Sequence, residues 1–271
     1  MPRVDADGVG LFYESAGEGV PFVLQAHHHA DWMLYQFPYF SQFYRVIIFD
    51  RRGTGRSADP DGDWTTADFA RDLRGLLDAL GIEKAIVGGA SLGGVISCQF
   101  GLDYPHRALA LIIGPTTPYL GPLGQEWLVG ALGAIERGEV PGARQPRSYP
   151  WEAEGPPIGD PAWRDTPAAD FLATIRIGLG NTREAMIKAL RTMRAWDLRP
   201  RYAELNRLTI PALVIVGGHE PQKTIERSYD LHRQIPGSDY AILPGAYHAA
   251  AREEPVAWNA AVHGFLRRHG I

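Results

Sequence analysis

The feature that most constrains this chain is the alternation of short apolar runs with longer segments of helical periodicity. Such alternation favours parallel strands joined by helices, so that the sheet is covered on both of its faces. The first two strands are the exception, because the Asp7-Gly8 pair between them is a hairpin turn signal. Eight strands are predicted, at Val4–Ala6, Gly10–Ser15, Phe22–Ala26, Val46–Phe49, Ala85–Gly88, Ala108–Ile113, Ala212–Val216 and Tyr240–Leu243.

Helical patterns lie between these strands. The clearest one covers Thr66–Leu80, where Thr65 or Thr66 is a candidate N-cap and leucines recur on one face. The other helices are predicted at Trp32–Phe43, Leu92–Tyr104, Thr224–Gln234 and Val256–His269. The sequence therefore predicts an α/β fold with a mostly parallel eight-stranded sheet.

The alternation is interrupted over residues 115–205. The first half of this stretch is rich in Pro and Gly, and helical patterns follow at Ala168–Leu179 and Thr182–Trp196. We interpret the stretch as an inserted helical cap. Residues 1–114 and 206–271 are then expected to form one core domain.

Composition excludes several classes of partner. The 271 residues carry a net charge of −4, which gives no basic surplus for a nucleic-acid partner. No apolar run approaches the roughly 20 residues of a membrane-spanning helix. The first residues lack the apolar core of a signal peptide, and the single cysteine, Cys98, cannot form an internal disulfide. We expect a cytoplasmic protein that binds a small-molecule substrate, and we infer no oligomeric state.

The segment Gly89-Ala90-Ser91-Leu92-Gly93 carries the most specific chemistry. It matches the pattern Gly-x-Ser-x-Gly and lies between a predicted strand and a predicted helix. A sharp turn at this place raises the serine hydroxyl above the sheet, and the start of the helix offers free N–H groups to a developing oxyanion. Ser91 is therefore a candidate nucleophile. The alternative is a glycine-rich turn with a serine as N-cap.

A nucleophilic serine needs a base and an acid that orients the base. His248 follows the last predicted strand, and Glu220 is the first carboxylate after the strand Ala212–Val216. The order Ser91, Glu220, His248 is that of the Gly-x-Ser-x-Gly hydrolases. The alternatives are a surface histidine and a solvated glutamate in a loop.

These residues together resemble the α/β-hydrolase superfamily, near its esterase, lactonase and carbon–carbon hydrolase branch. Asp50-Arg51-Arg52-Gly53-Thr54-Gly55-Arg56-Ser57 resembles the turn after the fourth strand of that family. His248, together with Glu254-Pro255 and Asn259, resembles its closing segment. The resemblance implies the α/β-hydrolase fold and an oxyanion hole. One departure is Glu220, which stands where the family usually has Asp.

The second departure is the run His27-His28-His29, which stands where the family usually has His-Gly. The resemblance implies that the N–H groups of Leu92 and His28 form the oxyanion hole, with His27 and His29 as the next candidates for the second donor. We do not predict zinc, because adjacent loop residues point in different directions. We expect His27, His29, Trp32 and Trp127 to contact the substrate, and we expect neither a metal nor a cofactor.

The expected function is acyl transfer through Ser91 on an apolar or aromatic ester or lactone of small to medium size. Alternatives on the same scaffold are a carbon–carbon hydrolase, a cofactor-independent oxygenase or lyase, and a ligand receptor with little turnover. Serine at position 91 argues against the dehalogenase and epoxide hydrolase reactions of this superfamily, because those enzymes carry Asp at the nucleophile position.

Overall fold

The computed structural model describes residues 2–25, 29–138, 162, 166–168 and 182–271. Its described strands form one eight-stranded sheet in the order β1-β2-β4-β3-β5-β6-β7-β8. Strand β2 pairs antiparallel with β1 and with β4, and all the other pairs are parallel. This confirms the predicted fold class. The strands are β1 Arg3–Ala6, β2 Val9–Ala16, β3 Pro21–Gln25, β4 Arg45–Phe49, β5 Ala85–Gly89, β6 Ala108–Ile113, β7 Ala212–Gly217 and β8 Asp239–Leu243.

Helices connect these strands and cover the sheet. The longest helices of the core follow β4, β7 and β8, and the helix after β4 begins at the capping box of Thr65 and Asp68. The described α-helices are α1 Ala30–Met33, α2 Gln36–Phe40, α3 Thr66–Ala79, α4 Leu92–Asp103, α5 Pro122–Glu136, α6 Arg183–Arg194, α7 Tyr202–Leu205, α8 Gln222–Gln234, α9 Ala250–Glu253 and α10 Pro255–Arg268. None of the helices in the described ranges is both long enough and apolar enough to cross a membrane.

Two apolar clusters hold the sheet between its helices. One packs α3 and α4 against the sheet and includes Leu73, Leu76 and Ile96. The other packs α10 against the sheet and includes Trp258 and Val262. Because both of their faces are buried, the central strands β4 to β7 are apolar along nearly their whole length rather than alternating, as parallel strands with two covered faces are.

Two sequence predictions about helices were wrong. The single helix predicted over Trp32–Phe43 is divided into α1 and α2. Pro38 explains the division, because a proline inside a helix lacks an N–H and clashes with the carbonyl four residues earlier, here that of Leu34. Helix α5 was not predicted, because the Pro and Gly content of its region masked its helical spacing. The helix predicted at Ala168–Leu179 lies almost wholly outside the described residues.

A helical insertion interrupts the core between β6 and β7, and α6 ties it to the loop after β4. Lys188 Nζ lies 3.1 Å from Asp59 Oδ1, and the Thr192 hydroxyl donates to the Trp64 carbonyl at 2.8 Å. Arg183 joins α6 to α5 by donating to the carbonyl oxygens of Ile135 and Glu136. The exact division into residues 1–114 with 206–271 and 115–205 stays a prediction.

We expect a glycine-to-alanine change to have opposite effects at two places in this fold. A Cβ on Gly89 would lie 2.3 Å from the Gly93 carbonyl group, so Gly89→Ala forces β5 and α4 apart and costs about 1–3 kcal/mol or more. A Cβ on Gly130, in the middle of α5, meets nothing within 4 Å. Gly130→Ala should therefore stabilise by about 0.5–1 kcal/mol. Urea unfolding of both variants measures the difference, and equal effects would contradict this account of the elbow.

Candidate active site

Ser91 stands on a sharp turn between β5 and α4. Its backbone has φ 56° and ψ −121°, and within the described residues Ser91 and Asp7 are the two non-glycine residues with positive φ. A serine is held in such a conformation only where its surroundings fix it. Here the Ser91 N–H donates to the Pro115 carbonyl at 3.1 Å, and Gly89 and Gly93 lie in direct backbone contact. The turn therefore presents the Ser91 side chain at the carboxyl end of β5.

Helix α4 begins directly after Ser91 and offers a free donor. The Gly93 N–H turns back to the Ala90 carbonyl at 2.8 Å, whereas the Leu92 N–H donates to no backbone or side-chain acceptor in the described structure. The first turn of a helix also carries positive partial charge. The predicted first oxyanion donor, Leu92, therefore has an N–H that is available to an oxygen bound beside Ser91.

Glu220 and His248 lie beyond the ends of the neighbouring strands β7 and β8. Their side chains are joined by a hydrogen bond of 2.6 Å between His248 Nδ1 and Glu220 Oε1. The carboxylate is 5% exposed and the imidazole 34% exposed. The acid is therefore buried behind the histidine, and the ring keeps an accessible edge. The structure brings together the acid and the base that the sequence proposed.

The two loops that carry this pair are joined along their backbones. The Gly218 N–H donates to the Leu243 carbonyl at 2.7 Å, and the His219 N–H donates to the Ala246 carbonyl at 2.9 Å. The rings of His219 and Tyr247 are stacked with centroids 4.6 Å apart. Glu has a longer side chain than the usual Asp, and these contacts fix the loop from which it reaches the imidazole.

The electrostatic surroundings of His248 raise its pKa. Burial lowers the pKa of the imidazole, but the charge of Glu220 and the hydrogen bond to it raise the pKa, as does the charge of Glu253. Arg252 opposes them, and the net effect is a raised pKa. Because Nδ1 is engaged by the carboxylate, the neutral ring carries its proton there and presents Nε2 as the proton acceptor.

Ser91 and His248 lie at the same edge of the sheet, since each follows the carboxyl end of a parallel strand. No hydrogen bond joins the Ser91 hydroxyl to the imidazole within the described part of the chain. In ligand-free sites such bonds are often long and tighten only around a substrate. Ser91 and the bonded pair of His248 and Glu220 therefore lie at the same edge of the sheet.

The expected substrate-contact residues fall into three groups. His29 is 2% exposed and its Nδ1 lies 2.7 Å from Asp50 Oδ1, while Trp32 is 1% exposed and packs on Trp258. These contacts bury the side chains of His29 and Trp32 in the scaffold, so we do not propose that they contact the substrate. Trp127 is partly buried on α5. His27 and His28 lie outside the described residues.

Sequence reasoning missed a set of charged residues beside the site. Arg252 Nη1 donates to Asp31 Oδ1 at 2.8 Å, and Glu253 accepts the Tyr247 N–H at 2.8 Å. Asp31 and Arg252 are 221 positions apart in the chain. No spacing rule pairs residues so distant, although each stands within four positions of a predicted site residue, which was the available signal.

Comparison with known proteins shows the family of the chain. The family described as "alpha/beta hydrolase fold" matches residues 25–129. A 3-oxoadipate enol-lactonase of Acinetobacter baylyi is 30% identical over 233 residues, which are 86% of this chain and 82% of that protein. This chain belongs to the α/β-hydrolase family. The chain is a hydrolase of this family, and its relatives act on small-molecule substrates.

Solved structures of α/β hydrolases superpose over nearly the whole chain. A thermophilic esterase from Thermogutta terrifontis has a TM-score of 0.80 and 26% identity, with 99% of each chain covered. An enol-lactonase from Burkholderia xenovorans has a TM-score of 0.81 with 24% identity, and it covers 98% of this chain and 100% of its own. At that identity the second likeness shows the fold alone.

We expect Glu220→Gln to shift the pH profile as well as the rate. Glutamine keeps the length of the side chain but removes the charge that raises the pKa of His248. The acid limb of kcat/KM should therefore move to lower pH, while kcat falls by about 10²- to 10⁴-fold because the imidazolium loses its partner. The measurement is kcat/KM on an aryl ester between about pH 5 and 9.

The matched control is Glu226→Gln, which removes an exposed carboxylate bound to Lys223 on α8. It should leave both the rate and the pH profile unchanged. An acid limb that stays in place in Glu220→Gln would contradict the assignment of the His248 pKa to Glu220.

Proposed function

We propose that this α/β hydrolase is a serine hydrolase that cleaves an ester or a lactone through an acyl-enzyme on Ser91. The observation that carries the proposal is the 2.6 Å bond between Glu220 and His248 at the same sheet edge as the strained Ser91. A buried carboxylate bound to one imidazole nitrogen favours proton acceptance at the other nitrogen. No cofactor is needed for this chemistry.

The first half of the reaction forms the acyl-enzyme. His248 Nε2 accepts the proton of the Ser91 hydroxyl while Oγ attacks the carbonyl carbon of the substrate. The carbonyl oxygen becomes an oxyanion, and the Leu92 N–H donates to it. Glu220 stabilises the imidazolium that forms. When the tetrahedral intermediate collapses, the C–O bond to the leaving oxygen breaks and His248 returns the proton to that oxygen.

The second half releases the acid. His248 removes a proton from a water molecule, whose oxygen attacks the acyl carbon. The bond to Ser91 Oγ then breaks, and the proton passes from His248 back to Oγ. An ester yields an alcohol and an acid, whereas a lactone yields one hydroxy acid, since its leaving oxygen stays attached to the acyl group.

Two parts of the proposal rest on the sequence, one on its resemblance to the family and one on its composition. The second oxyanion donor is assigned to the N–H of His28, which lies outside the described residues. The preference for an apolar or aromatic substrate of small to medium size rests on the aromatic content of the insertion, in which Trp127 is the described candidate. The enol-lactonase and esterase relatives support acyl–oxygen cleavage as the class of reaction.

The direct test is covalent labelling with a fluorophosphonate probe. Wild-type protein should be labelled at Ser91, because the probe reacts with a serine that a neighbouring base activates. Ser91→Ala should not be labelled, and labelling of His248→Ala should be slower than that of the wild type by at least about 10³-fold. The readout is the labelling rate by intact-protein mass spectrometry.

Ser41→Ala is the matched control, since Ser41 lies at the exposed end of α2, and it should be labelled at the wild-type rate. Labelling that persists in Ser91→Ala, or ester hydrolysis that survives it, would contradict the proposal. Absence of any labelling in wild-type protein would favour the receptor or lyase alternatives instead.

A further inference from the structure

Two chain segments that flank the site are joined by an ion pair. One is the segment after β3, which contains α1 and α2, and the other is the segment after β8, which carries His248 and α9. Arg252 Nη1 donates to Asp31 Oδ1 at 2.8 Å, and the side chains are 19% and 9% exposed. A pair with this little exposure is screened less by water and salt than a surface pair.

The Asp31 carboxylate has a second cation in its surroundings. Arg51 is fully buried, and burial lowers the pKa of its guanidinium to about 10, against the opposing charges of Asp31 and Asp50. Asp31 therefore interacts with Arg51 on the side of the core and with Arg252 on the side of the site. Removal of this one carboxylate affects both cations.

A second polar contact joins the same two segments. Gln36 is fully buried on α2, and its amide Nε2 donates to the Ala251 carbonyl at 2.6 Å and lies 3.2 Å from Asn259 Oδ1. The segment after β3 is thus bound to α9 at two places, through Asp31 and through Gln36. Its start is held independently, because the His29 N–H and ring both contact Asp50.

Helix α9 also contacts the residue before the base. Glu253 Oε2 accepts the Tyr247 N–H at 2.8 Å, so consecutive residues of α9 face opposite partners. Arg252 faces the segment after β3, and Glu253 faces the loop that carries His248. The contacts Asp31–Arg252 and Glu253–Tyr247 form a continuous connection from one side of the site to the other.

We propose that Arg252 is a positioning residue, which through Asp31 holds the segment His29–Gln36 at a fixed place relative to His248. The inference rests on the proposed function, because the reaction uses His248 as the base. Its physical reason is that the base and the chain opposite it must keep one geometry through the reaction, and small displacements of this kind lower rates strongly. Within the described part of the chain, Arg252 has no hydrogen bond to Ser91, and it is bonded there to Asp31.

The test is the kinetics of Arg252→Gln on an aryl ester. We expect kcat to fall by about 10- to 100-fold while KM changes by less than about threefold, because the geometry is lost mainly in the transition state. The labelling rate with the fluorophosphonate probe should fall in parallel. The matched control is Arg268→Gln at the end of α10, which breaks an exposed ion pair with Asp239 of β8. It should change neither kcat nor the labelling rate.

A second readout separates the charge of Arg252 from its position. The charged groups that act on the imidazole of His248 are Glu220 and Glu253, which raise its pKa, and Arg252, which lowers it. Removal of the Arg252 charge should therefore move the acid limb of kcat/KM to higher pH, whether or not Arg252 positions the site. Positioning is measured by kcat at a pH above that limb, because a purely structural role would lower the melting temperature and leave this kcat unchanged.

A double-mutant cycle tests whether Asp31 is the partner. If Arg252 acts through Asp31, the loss in the double variant Asp31→Asn with Arg252→Gln should be no greater than that of the more impaired single variant. Should Asp31→Asn fail to fold because buried Arg51 loses one of its two neighbouring carboxylates, the kcat of Arg252→Gln at a pH above the acid limb still decides the question.

Additive losses in the cycle, or a wild-type kcat for Arg252→Gln at a pH above the acid limb, would overturn the inference. Failure of the proposed function would be recognised separately, because wild-type protein would then show no labelling at Ser91. A labelled wild type with an equally labelled Arg252→Gln would overturn the positioning role alone.

Discussion

The contact between the end of β5 and the first turn of α4 is the constraint on which the site depends. Gly89 and Gly93 meet backbone to backbone, and this approach turns the chain sharply enough to place Ser91 at positive φ. Such a conformation costs about 1–3 kcal/mol at a serine. The burial of nearly every residue of α4 offsets that cost, so the core of the fold maintains the strain at the site.

The chemistry of the site depends on how charges are balanced around His248. Glu220 holds the imidazole from behind, Glu253 acts on it from α9, and Arg252 opposes both. The raised pKa makes the histidine a stronger base, but it also requires a higher pH for the ring to be neutral. Arg252 limits the rise of the His248 pKa, and its ion pair with Asp31 fixes where this cation lies.

Local rules predicted much of the fold and the order of the proposed triad. Buried strands are apolar runs, Thr65 is a capping residue, and the Gly-x-Ser-x-Gly turn is defined by neighbouring positions. The rules failed where the outcome depends on distant residues. His29 is bound by Asp50 and Trp32 by Trp258, so both are buried although they adjoin the loop expected to face the substrate. Helix α5 was missed because the Pro and Gly content of its region hides its helical spacing.

The most direct measurement is acid-quenched turnover of an aryl ester, followed by peptide mass spectrometry. We expect a burst of released phenol about equal to the amount of enzyme whenever deacylation is slower than acylation. We also expect an acyl group on the peptide that contains Ser91, and we expect this acyl group to be absent in Ser91→Ala. Turnover of the ester with an acyl group on a different residue, or at an undiminished rate in Ser91→Ala, would contradict the account.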